Sequence, residues 1–179
     1  MTRAVIVHGT GGHPDVIWYP WLADRLTARG WTVDRPHFPE LNVTPVDDFL
    51  PGALERLAVD EDTVLIGHSG GAALLLAVLE AIEVRVPQAV LVAGYSTRPN
   101  GSEEPVLRPS YDWDRIAAHV ADLVLVNSVT DPYGCDWRQG MAIRDRAGGT
   151  LVVRDEGHFG DADQPFDSFE LLDRLITAG

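Results

Sequence analysis

The pentapeptide Gly67-His68-Ser69-Gly70-Gly71 follows the apolar run Thr63-Val64-Leu65-Ile66 and leads directly into Ala72-Ala73-Leu74-Leu75-Leu76-Ala77-Val78-Leu79. A short apolar run, a glycine-rich turn and a longer apolar stretch predict a buried strand that reverses sharply into a buried helix. Few folds accept that join. The residues two before and two after the serine must be small for the turn to close, and Gly67 and Gly71 meet that condition. Such a turn, a nucleophile elbow, strains its serine and projects the hydroxyl above the sheet. The plain alternative is a glycine-rich turn with an incidental serine, and the buried elements on both sides weigh against it.

Further apolar runs recur with helical stretches between them, the pattern of a doubly wound α/β sheet of about six parallel strands with helices on both faces. Strands are predicted at Ala4–Val7, Trp31–Asp34, Thr63–Ile66, Ala89–Ala93, Leu123–Asn127 and Thr150–Val153. Helices are predicted at Trp18–Arg29, Asp47–Leu57, Gly70–Ile82, Trp113–His119, Trp137–Arg146 and Phe166–Thr177, with Gly30 as a stop for the first. The length of 179 residues and the 45% hydrophobic content suit one domain, residues 1–179, around one core. The proline-rich stretch Ser96–Ser110 is read as a long loop, either a lid or a plain connection, and is too short for a large cap domain.

Lysine is absent: all 14 basic residues are arginine, against 27 acids, for a formal charge of −13. A Walker A loop, a pyridoxal phosphate Schiff base and a lysine-dependent aldolase all need an amine that this chain lacks. The negative charge also argues against nucleic acid or an anionic membrane surface as partner. Met1-Thr2-Arg3 runs straight into Ala4-Val5-Ile6-Val7, too short a run for a signal peptide, and no apolar run approaches membrane-spanning length. A cytoplasmic location is the expectation. The one cysteine, Cys135, excludes an internal disulfide and fits a reducing compartment. It could serve as a nucleophile, although a lone cysteine is more often a small apolar residue.

If the strand order is 2-1-3-4-5-6, the glycine-rich loop His8-Gly9-Thr10-Gly11-Gly12 and the turn carrying Ser69 would face each other at the carboxyl edge of the sheet, where ligands bind. A serine hydroxyl needs a base, and the base an orienting carboxylate, in the chain order Ser, acid, His. His119 falls in a helical run, whereas His158 follows the last strand and is the better base. Asp131, after the strand Leu123–Asn127 and stiffened by Pro132, is the better acid; Asp136 and Asp155 lie too far beyond or too near the strand ends. Oxyanion donors are expected from the Gly70 amide and from Thr10, with Gly11 as substitute. Trp18, Trp113, Tyr133 and Phe159 are available as a shallow apolar wall. His8 is read as a brace for its loop and His68 as an elbow residue set by packing, and no metal site is expected.

These residues together resemble a family of small single-domain α/β-hydrolases, the retinoblastoma-binding protein nine and YdeN type of serine esterase. The resemblance rests on His8-Gly9-Thr10-Gly11-Gly12 with Trp18-Tyr19-x-Trp21-Leu22, on Gly67-His68-Ser69-Gly70-Gly71, on Tyr95-Ser96-Thr97-Arg98-Pro99 with Trp113 and Ile116, on Thr130-Asp131-Pro132 and on Gly157-His158-Phe159. It implies the α/β-hydrolase fold without the first two strands of larger hydrolases, and a triad of Ser69, Asp131 and His158. Many relatives place Val-Pro after the Asp-Pro pair, where Tyr133-Gly134-Cys135-Asp136 stands here. The Leu-x-Cys-x-Glu sequence is also absent, so no retinoblastoma-type partner is carried over. The expected activity is cofactor-independent cleavage of small carboxylic esters through an acyl-enzyme on Ser69. Acyl transfer by the same intermediate, and a non-catalytic binding protein that kept the elbow, are the alternatives.

Overall fold

Each of the six expected strands is present in the computed structural model, which describes residues 2–176. In chain order the elements are β1 (Arg3–Val7), α1 (Tyr19–Ala28), β2 (Thr32–Asp34), α2 (Val46–Leu57), β3 (Thr63–His68), α3 (Gly70–Ala81), β4 (Val86–Val92), α4 (Trp113–Ala118), β5 (Val120–Ser128), α5 (Trp137–Ala147), β6 (Thr150–Arg154) and α6 (Glu170–Leu175). All neighbouring strands pair in parallel, in the expected order β2-β1-β3-β4-β5-β6. Every residue of β3 is buried, as is α3 from Gly70 through Leu79. Strands covered on both faces need no polar alternation, and this is why their sequences read as unbroken apolar runs.

The strands β4 and β5 begin three residues earlier than the sequence predicts. Their first turns look too polar for a buried strand, but Val86 pairs with Val120 and Gln88 with Asp122, and the Gln88 side-chain amide donates to the Asp122 carboxylate at 2.7 Å. Each polar residue thus meets its partner within the sheet. The last helix is shorter than predicted at its start. Phe166 and Phe169 pack edge to face at 5.1 Å against each other and sit against Phe159, so the helix waits until Glu170. Thr177, the predicted end of that helix, lies outside the described residues.

Winding reverses at β1, which lies between β2 and β3, so the loops after β1 and β3 emerge side by side. The segment 96–110 holds one short 3-10 turn, Pro99–Gly101, and no cap domain. It is tied down at several points. The Val46 amide donates to the Pro105 carbonyl at 2.8 Å, the Val106 amide to Asn42 Oδ1 at 3.0 Å, and Arg108 pairs with both Glu80 and Asp47. Among the described residues, no helix is long and apolar enough to cross a membrane.

Candidate active site

Ser69 joins β3 to α3 with φ 55° and ψ −120°, a left-handed conformation that a residue with a side chain adopts only under constraint. The constraint is hydrogen bonding on both sides. The Ser69 amide donates to the Val92 carbonyl at 2.8 Å, and its own carbonyl accepts the first helical bond, from Ala73, at 3.0 Å. The flanking glycines are required by closeness of backbone. A Cβ on Gly67 would stand 2.8 Å from the Ala72 backbone, and one on Gly71 would strike the carbonyl oxygens of Val7 and His8. At Gly70 a Cβ would overlap the Thr10 hydroxyl. The loop after β1 therefore lies directly on the first residue of α3, which brings Thr10 and Gly70 together beside the nucleophile, at the positive end of a buried helix.

Beyond β5 and β6, two loops bring Asp131 and His158 together. His158 Nδ1 donates to Asp131 Oδ2 at 2.7 Å, with the carboxylate side chain wholly buried and the imidazole 7% exposed. The other carboxylate oxygen accepts from the Tyr133 amide at 2.9 Å and the Cys135 amide at 3.3 Å. The alternative acids are engaged elsewhere. Asp136 caps α5 through the Arg138 amide, and Asp155 accepts from the Thr130 hydroxyl at 2.7 Å. Thr130 Oγ1 in turn accepts from the Gly157 amide, and Ser128 Oγ accepts from both the Thr130 and Glu156 amides, so the two loops are bound to each other. His119, at the end of α4, donates from Nδ1 to the Leu79 carbonyl at 2.7 Å.

A cavity of about 960 Å³ opens between these loops, lined among others by Thr10, Ser69, Tyr133 and His158. Tyr133 stands edge-on to the His158 ring with centroids 4.7 Å apart. The other three aromatic side chains expected in the wall are not there. Trp18 and Phe159 are completely buried: the Trp18 indole donates to the Phe159 carbonyl at 2.9 Å, and Phe159 stacks on Phe169. Phe159 has φ 57°, a local reversal between His158, paired with Asp131, and a phenyl ring in the core. Trp113 packs against Tyr111 under the Arg146 guanidinium, at the α4 side of the sheet. The wall instead uses Val16, Ile17, Tyr95, Pro99 and Pro132.

Cys135 also borders the cavity, but burial pushes its thiol far above the usual range, with Asp131 adding to the effect. A protonated, buried thiol is a poor nucleophile. Asp131, Cys135 and His158 are the one group of metal-ligand types that the described residues bring close together, with ligand atoms within 4.8 Å. Two of the three are already committed to each other in the 2.7 Å hydrogen bond.

The family profile described as serine hydrolase matches residues 4–178, which is nearly the whole chain. The chain belongs to the serine hydrolase family. This serine hydrolase is 30% identical over 167 residues to the serine hydrolase RBBP9 of Rattus norvegicus, covering 88% of this chain and 87% of that one. It is 32% identical over 100 residues to YdeN of Bacillus subtilis (strain 168), covering 54% of this chain and 53% of the other. The crystal structure of the ydeN gene product from B. subtilis superimposes with a TM-score of 0.88 over 98% of this chain and 97% of that one, at 22% identity. The chain is an enzyme with the α/β-hydrolase fold, as the sequence motifs imply.

Several polar residues around the site of this serine hydrolase escape a motif reading. Asn42 donates from Nδ2 to Thr10 Oγ1 at 3.1 Å and to Glu104 Oε2 at 2.6 Å, and Tyr95 donates to the same carboxylate oxygen at 2.5 Å. The 96–110 segment is thereby locked to the loop that carries Thr10. Nothing in the spacing of Asn42, Tyr95 and Glu104 foretells this cluster; only the Tyr95 of the family-like run Tyr95-Ser96-Thr97 hinted at it. His8 does brace its loop, with Nδ1 against the Gly9 carbonyl at 2.7 Å and Nε2 accepting the Phe38 amide at 2.9 Å. His68 does more than pack: Nδ1 meets the Tyr19 hydroxyl at 2.6 Å and Nε2 meets the His158 carbonyl at 2.7 Å.

Proposed function

We propose that this serine hydrolase cleaves small carboxylic esters through an acyl-enzyme on Ser69. The reading is carried by one juxtaposition: the strained Ser69 and His158, itself hydrogen-bonded to the buried Asp131, border the same cavity. His158 accepts the Ser69 proton at Nε2 as Oγ attacks the ester carbonyl carbon, and returns it to the departing alkoxide. Water then attacks the acyl-enzyme by the same proton route and releases the acid. Asp131 holds the imidazole in the Nδ1–H tautomer and stabilises the imidazolium. The Gly70 amide and Thr10 serve the oxyanion, a role in which losing one donor costs about 3–4 kcal/mol. Among the described residues neither Ser69 Oγ nor His158 Nε2 is hydrogen-bonded, so both are available to substrate. Such contacts commonly tighten only when substrate is bound.

No cofactor enters this route, whose two reactants are a small ester and water. A fluorophosphonate probe and p-nitrophenyl acetate test it together. Wild-type protein should be labelled and should turn over the ester, whereas Ser69→Ala, folded by circular dichroism, should do neither. Hydrolysis that survives in the alanine variant removes Ser69 from the mechanism.

A further inference from the structure

The loop that presents His158 has little regular backbone support. Gly157, Phe159 and Gly160 all have positive φ, at 57°, 57° and 103°, so the chain turns back on itself on both sides of the base. Side chains hold it instead: Gln164 Oε1 accepts the His158 amide at 3.0 Å, and Trp18 donates to the Phe159 carbonyl. The His158 carbonyl itself rests on the ring of His68, 2.7 Å from Nε2. A carbonyl can only accept, so Nε2 carries the ring proton and Nδ1 is left as acceptor for the Tyr19 hydroxyl at 2.6 Å. The Tyr19 oxygen in turn accepts the Gly9 amide at 3.2 Å. The chain of bonds is complete and polarised in one direction, from Gly9 through Tyr19 and His68 to His158.

This relay joins three loops that the proposed reaction must hold in register: Gly9 precedes Thr10, His68 precedes Ser69, and His158 is the base. The ring is only 3% exposed, and burial, then the neighbouring His158, drives it from the usual 6.5 down to about 3. It therefore stays neutral, with one nitrogen donating and the other accepting. A protonated ring would lose the acceptor for Tyr19 and put a cation beside His158, whose ring centroid is 5.0 Å away. We propose that His68, supported by Tyr19, is a positioning residue: it fixes the backbone of His158 against the oxyanion loop so that the imidazole stays between Asp131 and Ser69. The inference rests on the ester-cleaving reading above.

The test compares His68→Leu, His68→Gln and Tyr19→Phe with wild type in ester hydrolysis, each checked for folding by thermal melt. His68→Leu should lose about 100-fold in kcat, the scale of a misplaced catalytic group, with KM within about twofold. Tyr19→Phe, which removes one hydrogen bond from the relay, should lose about tenfold. Glutamine can donate and accept as the ring does, so His68→Gln should recover most of the loss. Folded variants with unchanged kcat, or a glutamine variant no better than leucine, overturn the relay. Histidine-labelled protein supplies a reading independent of turnover, because nitrogen spectra should show His68 as the neutral Nε2–H tautomer at neutral pH. The opposite tautomer overturns the proposal even if the enzyme proves inactive on esters. Failure of wild-type labelling at Ser69 would instead count against the ester-cleaving reading alone.

Discussion

Asp131 divides its two oxygens between two tasks. Oδ2 takes the Nδ1 proton of His158, and Oδ1 is pinned by the amides of Tyr133 and Cys135, so the carboxylate cannot rotate without losing three bonds. An amide in its place must turn its NH2 towards one of those donors. Asp131→Asn should therefore fold but lose about 10⁴-fold in turnover of p-nitrophenyl acetate, through the wrong imidazole tautomer and an unstabilised imidazolium. Asp136→Asn keeps a good helix cap and should leave the rate nearly unchanged, and Cys135→Ser likewise. A larger loss in Asp136→Asn than in Asp131→Asn would assign the acid wrongly. The contact of Asp131 with His158 was legible in the sequence because each residue follows a strand at the same edge of the sheet. The relay through His68 was not, since its partners Tyr19 and His158 lie 49 and 90 positions away.

At the scale of elements, the elbow was legible because most of what enforces it is close to Ser69 in the chain; the exceptions are the bond from the Ser69 amide to the Val92 carbonyl and the approach of the loop after β1. That contact makes Gly71 the most demanding glycine of the turn. A methyl group there meets backbone carbonyls of β1 and its loop, which cannot swing aside as a side chain could. Gly71→Ala should lower stability by about 3 kcal/mol or more, read as an earlier urea midpoint with unchanged slope. Gly52, on α2 with open space around it, is the control: Gly52→Ala should raise stability by up to about 1 kcal/mol. A Gly71→Ala protein as stable as wild type would mean that α3 need not lie against β1. Three of the four aromatic residues expected in the wall are misplaced at this same scale. Whether Phe159 faces cavity or core depends on the sign of one φ angle, which a sequence pattern does not carry.

Over the whole molecule, the burial of β3 and α3 follows from apolar runs that tolerate no solvent, and such runs are visible without coordinates. The early starts of β4 and β5 were hidden because Gln88 and Asp122 satisfy each other across strands. Buried polar groups of that kind also govern how stability responds to acid. Burial lowers the pKa of both His68 and His8, the former to about 3 against 6.5 in the unfolded chain. Between those values the unfolded chain binds a proton on His68 that the folded chain refuses. The stabilisation is thus fully present above 6.5 and is lost as pH falls towards 3, by up to about 1.4 kcal/mol per pH unit. Below about 3 the folded ring is protonated as well, and this loss stops growing. His68→Gln removes the titration while keeping a donor and an acceptor, so its urea midpoint should fall less steeply with acid than that of wild type over this window. The other side chains are the same in both proteins, so the difference between the two slopes reports on the one ring that is replaced. Equal slopes would show that His68 takes up its proton equally in the folded and unfolded chains.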